Sequence, residues 1–229
     1  MNIKTKRFFL AHIVILIIVI VLGQLGRARM PKCGIEKVRT MEQLYELEVA
    51  ATSIFEDEYY DGFAEYKDDY INELEDAAIV AVVRPTGNIH PYHLTFCHEV
   101  IVEEVIQGND NLENKILQIY DESAKFMTNE NHNSRLEYRD IKNLMQSGHT
   151  YLAFFFPLEL NHYFKEDVYR FHDSFFNYLD LGNGNTKSIL KSSEKADFRK
   201  IKEIEFFTSS QRVLDILIEI KQKIIEKYI

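Results

Sequence analysis

The sequence predicts an α+β protein: an N-terminal transmembrane helix, an acidic helical segment, a small β-barrel and a C-terminal amphipathic helix. Three observations carry this prediction. Residues 8–25 form a nearly unbroken apolar run, residues 78–181 hold short apolar or alternating runs, and helical stripes lie on either side of them. The expected organisation is a cytoplasmic tail at 1–7, an anchor at 8–25 and a juxtamembrane and helical segment at 26–75. A barrel at 76–190 and a helical segment at 191–229 complete it.

The chain has 229 residues, enough for one ordinary domain plus an appendage. Apolar residues make up 46%, so a real core can form. Its 2 cysteines exclude a disulfide-dense scaffold and four-cysteine zinc modules. A net charge of −9 excludes a generally basic nucleic-acid binder. Charge is unevenly spread: residues 1–55 are basic, 56–76 carry most of the acid density, 77–185 are acidic and 186–229 mildly basic.

Within Phe8–Leu25 only His12 and Gln24 are strongly polar. Eighteen helical residues span about 27 Å, close to a hydrocarbon core. Lys4, Lys6 and Arg7 precede the run as in a signal sequence, but Arg27 and Arg29 interrupt any small-residue cleavage motif after it. An uncleaved anchor is therefore expected. Lysines and arginines on the two flanks nearly cancel as orientation signals.

After the anchor, 36–76 reads as helical. Phe63, Tyr66, Tyr70, Leu74 and Ala77 form one stripe, although Met41–Ile54 fits either a helix or a strand. Ala78–Val83 is a strand stopped by a turn at Arg84–Asn88. His93–Ile106 is a long strand, and its length suits the bending of a small barrel. Lys115–Tyr120 and Thr150–Phe156 are further strands, with a polar irregular stretch at 121–147 between them that has a helical turn at Ile141–Met145. Val168–Leu181 holds one or two more strands. Thr208–Gln211 fits a capping box, ahead of a helix striped by Val213, Leu217, Ile220, Ile224 and Tyr228.

Four segments carry a resemblance: Asp76–Val83, Val102–Gly108, Leu117–Tyr120 and Gly148–Phe155. They resemble, in order, A-D-x-I-V-x-x-V, V-x-x-V-I-x-G, I-x-x-Y and G-x-x-Y-L-x-F-F. These patterns belong to uncharacterised secreted or membrane-anchored bacterial proteins with a small five-stranded barrel. That barrel is similar to oligonucleotide/oligosaccharide-binding (OB) barrels and to those of metalloproteinase-inhibitor and netrin-like modules. The resemblance implies an OB-like barrel with its body outside the cytoplasm. The inhibitors act through an N-terminal cysteine amine, which does not carry over because Cys33 follows an uncleaved anchor.

Candidate sites are few. His90, His93, Cys97 and His98 have zinc-ligand chemistry, but His98 alternates to the face opposite His93 and Cys97. The other reading is ordinary polar loop and strand histidines. Asp57, Asp61, Glu65 and Asp68 fall in a calcium-loop frame, with Tyr59 in place of one ligand; a solvated acidic helix face is the alternative. No catalytic motif is present and no resident cofactor is expected, a divalent metal at these clusters being the one exception considered. Cys33 and Cys97 could pair in an oxidising compartment, or Cys97 could serve as a small buried apolar residue. The expected function is a membrane-anchored extracytoplasmic binding or interaction module with a protein partner and no nucleic acid. Alternatives are a metal-assisted hydrolase using His90–His98, or a cytoplasm-facing membrane protein.

Overall fold

A computed structural model describes residues 12–24, 38–52, 54–92, 94–128, 134–139, 142–158, 168–182, 201 and 204–229. The chain divides into two compact units, Met1–Cys33 and Gly34–Ile229. In the first, 12–24 is helical (α1), with exposed isoleucine, valine and leucine side chains from Ile13 to Leu22. No helix among the described residues is long and apolar enough to cross a membrane. The expected span at 8–25 is described only over 12–24, and both its ends fall outside the described residues.

The second unit is a mixed α+β fold. Its helices are α2 (Met41–Leu44), α3 (Tyr60–Glu65), α4 (Lys67–Asn72) and α5 (Gln211–Tyr228). Its strands are β1 (Glu48–Thr52), β2 (Ile79–Tyr92), β3 (Thr95–Gln107), β4 (Ile116–Asp121), β5 (Ala124–Thr128) and β6 (Ser134–Tyr138). They continue with β7 (Tyr151–Pro157), β8 (Val168–Phe171) and β9 (Tyr178–Asp180).

Two sheets form, where a lone five-stranded barrel was expected. One has three strands in the order β1-β6-β5; the other has six, β2-β3-β4-β8-β7-β9. β7 also pairs with β2, from Ile79↔Phe155 to Val83↔Tyr151, so pairing runs around five strands and returns to its start. β4 and β8 are parallel neighbours; every other pair in this sheet is antiparallel. β8 and β9 share the edge of β7 that β2 leaves open.

The apolar runs in β2 and β7 reflect burial on both faces. Ile79, Ala81, Val83, Tyr151, Ala153 and Phe155 join a core with Val100, Val102, Leu117 and Ile119. Val80, Leu152 and Phe154 join a second core beneath α5, against Val213, Leu217, Ile220 and Ile224. α5 begins at Ser210, whose hydroxyl accepts from the Val213 amide. The expected cap Thr208 instead donates to the Phe55 carbonyl.

Several expectations are corrected. Arg84–Asn88 is a bulge within β2 that accommodates Pro85 and Gly87, not a turn, because the register slips between Pro85 and Ile89 and pairing then resumes. The 36–76 segment is not all helix, since β1 lies within it. The acidic stripe breaks at Tyr66 (φ −99°, ψ 19°), which leaves that side chain exposed while Phe63, Leu74 and Ala77 stay buried. Residues 142–146 are buried but not helical. Gly108 follows β3 at φ +111°, and a Cβ there would sit 2.6 Å from the Ala78 carbonyl oxygen, which explains the glycine of the V-I-x-G pattern.

Candidate functional site

At the carboxyl ends of the parallel neighbours β4 and β8 the surface opens into a cleft of about 320 Å³. Its floor starts from a local sequence effect. The Asp121 carboxylate accepts from both the Ser123 amide (2.8 Å) and hydroxyl (2.5 Å), which turns the chain sharply out of β4. The Arg139 amide donates to the Ser123 carbonyl at 2.7 Å, which fixes the backbone of Arg139 at the same wall.

The opposite wall comes from β8 and the loop after it. Arg170 donates through Nη1 to Asp173 at 3.0 Å, and its guanidinium lies 5.0 Å from the centre of the Phe156 ring. His172 stacks on the same ring at 5.6 Å. Its Nδ1 accepts from the Ser174 amide at 2.9 Å, so the proton sits on Nε2, which donates to Asp76 at 2.7 Å. Asn177 donates to the His172 carbonyl at 2.7 Å and accepts from the buried ammonium of Lys142. Tyr120, Glu122, Leu158, Phe171 and Phe175 complete the lining. Burial, then the Glu122 charge and hydrogen bond, push the Tyr120 hydroxyl up to about 12, so it keeps its proton.

Below the floor, His98 Nε2 meets Asp121 Oδ2 at 3.0 Å, with both side chains sealed from water. Burial alone would raise the Asp121 pKa. The His98 hydrogen bond and charge, with the Ser123 donors, outweigh it and hold the carboxyl below the ordinary aspartate value. Tyr178 donates to the Asn143 carbonyl at 3.0 Å beside this pair. The carboxylate therefore stands between serine and imidazole. Ser123 donates to Asp121 and has no contact with the His98 ring that would activate it as a nucleophile.

The residues expected from sequence do not converge on one centre, although His90 stands opposite Cys97 in the β2–β3 register. His90 pairs with Glu99 at 3.1 Å, His98 with Asp121, and Cys97 is a free, buried thiol pushed up to about 12 by burial and then by Asp121. His93 lies outside the described residues. Asp57 accepts from the Ser210 hydroxyl and lies 3.7 Å from Arg212; Asp68 lies 4.0 Å from Lys223. Asp61 and Glu65 point to water from α3. The stretch of the calcium frame is wound into helix and not looped around a centre. Among the described residues no group of three or more His, Cys, Asp or Glu could hold a metal ion. Of the expected Cys33–Cys97 pair, Cys97 is a free thiol here and Cys33 lies outside the described residues.

The cleft residues were missed because four separate chain segments supply them. The one local signal was Asp121-x-Ser123, the composition of a side-chain-capped turn. Compared with protein-family models, with characterised proteins and with solved structures, the chain has no match.

Proposed function

We propose that this protein is a binding module tethered to a membrane by its N-terminal segment, with its body outside the cytoplasm and its ligand in the β4/β8 cleft. The cyclic strand order β2-β3-β4-β8-β7, with one parallel pair, supports the OB-like barrel reading. Barrels of that kind place ligands on strand faces and adjoining loops. The exposed aliphatic surface of 13–22 supports the tether.

One observation carries the choice of binding over catalysis. In the cleft both nitrogens of His172 are engaged and Ser123 donates to a carboxylate, so the imidazole is not poised as a general base and the serine is not activated as a nucleophile. The hydrolase alternative gains no support, since His90, Cys97 and His98 turn to different partners.

The test is a thermal-melting screen of the full-length chain in neutral detergent against small polar solutes. Stabilisers are expected to lose their effect in Arg170→Ala. A stabiliser that works equally in that variant, or one that is chemically turned over, would sink the reading. Protease treatment of intact cells is expected to degrade the body; full protection would reverse its orientation.

A further inference from the structure

We infer that the cleft receives a small ligand bearing an oxyanion, a carboxylate or a phosphate, through the guanidinium of Arg139. This deepens the binding reading above and rests on it. The starting observation is an exposed arginine at the rim of the cleft that makes no ion pair in an acidic protein. Arg84, Arg170 and Arg212 each pair with a carboxylate, at 2.6, 3.0 and 3.7 Å. Among the described residues no carboxylate pairs with Arg139, although the chain holds 36 acids against 27 lysines and arginines.

Glu122 lines the same cleft, yet no ion pair joins it to Arg139. Asp173 is engaged by Arg170. Neither of the two described acids that line the cleft therefore pairs with Arg139. Its backbone is fixed through the Ser123 carbonyl, so the guanidinium stands on a rigid base. A planar guanidinium with several free N–H groups suits the two oxygens of a carboxylate or phosphate. Arg170 still has N–H groups beyond the one given to Asp173, and Phe156 holds it from behind.

Size and charge narrow the class. A cleft of about 320 Å³ is at the small end for ligand sites, so it takes a compact molecule. A polyanion would need several phosphate-neutralising cations along a groove, and the strands between 77 and 185 are acidic overall. A soluble anion and the head group of an anionic lipid offer the same oxyanion.

Calorimetric titration of the full-length chain in neutral detergent separates these cases, with inorganic phosphate and acetate as anionic probes and N-acetylglucosamine as the neutral one. One anion is expected to bind, with an affinity roughly tenfold weaker in Arg139→Ala and unchanged in Lys115→Ala, which removes an exposed cation outside the cleft. Arg139→Lys should recover part of the loss. Saturation by the free anion identifies a soluble source. Binding only in micelles carrying phosphatidylglycerol, again lost in Arg139→Ala, identifies a lipid head group. Anion binding that ignores Arg139→Ala overturns the inference. Binding of the neutral sugar alone overturns it and leaves the cleft reading standing; binding of no probe overturns both.

Discussion

Along α3, α4 and the turn that follows, carboxylates face water and meet lysines of α5 or supply their own. Lys67 reaches Glu219 at 2.7 Å, Lys223 comes within 4.0 Å of Asp68, and Lys227 pairs with Glu75. Beneath β4 the same chemistry is sealed: Asp121 and His98 meet at 3.0 Å with almost no exposure. Glu205 and Lys221, at 2.6 Å, are nearly as deeply placed. The two regions differ in solvent, not in residue type. Water screens the first set, so each contact adds little. In the second, each partner exists to satisfy a charge that could not otherwise be buried.

The largest effect is expected at Asp121. Asp121→Ala leaves His98 and the Ser123 donors without their acceptor, and should cost about 3–5 kcal/mol in denaturant unfolding. Replacing both partners, His98→Leu with Asp121→Leu, should cost much less; an equal loss would mean that shape and not charge dominates. Because the Asp121 pKa is depressed, its contribution is present above the unfolded aspartate value of about 3.9 and is lost as pH falls through the folded value. Melts below about pH 4 should therefore narrow the gap between native protein and Asp121→Asn.

Next comes Lys221→Met, expected to cost about 2–3 kcal/mol at neutral pH. Burial already raises the Glu205 pKa despite Lys221, so here the sign reverses. An acid with a raised folded pKa destabilises above that value, and the cost is relieved as pH falls towards the unfolded glutamate value. The variant should thus regain stability on mild acidification, whereas Asp121→Ala should not regain it in that range. A flat profile would show that Glu205 stays protonated throughout.

The smallest effect is at the surface. Lys227→Ala should change stability by less than about 1 kcal/mol, and about 0.5 M salt should remove most of the difference. A larger loss that persists in salt would mean that α5 is clamped by its charges and not by its apolar stripe.

Much of the architecture was legible because it depends on periodicity. β3, β4, β7 and α5 lie within a residue or two of where alternation and helical spacing put them. β5 and β6 were not legible: Phe126, Leu136 and Tyr138 are buried, yet the polar residues between them hide the alternation. β1 lies in the stretch Met41–Ile54 that fits either a helix or a strand, and what decides it, a parallel and distant pairing with β6, is recorded by no local pattern. The cleft was illegible for the same reason. Arg139, Arg170 and His172 are unremarkable in sequence and meet only after β8 is placed beside β4. The histidine and cysteine cluster shows the converse: His90 and Cys97 stand opposite each other across β2 and β3, yet His90 pairs with Glu99, His98 with Asp121, and Cys97 stays a free thiol.

The pairing of β2 with both β3 and β7 also has a consequence for how the chain is made. β3 follows β2 at once, but residue 79 finds its second partner only when residue 155 is available. Throughout synthesis of the intervening strands, one edge of β2 stays open with its amides and carbonyls unpaired, a template for other chains. Closure therefore waits on a distant contact, and refolding should fall in the slow milliseconds-to-seconds class when followed by stopped-flow fluorescence. A chain ending at residue 150 should scatter light under conditions in which the full chain refolds, because the strand that covers that edge never arrives.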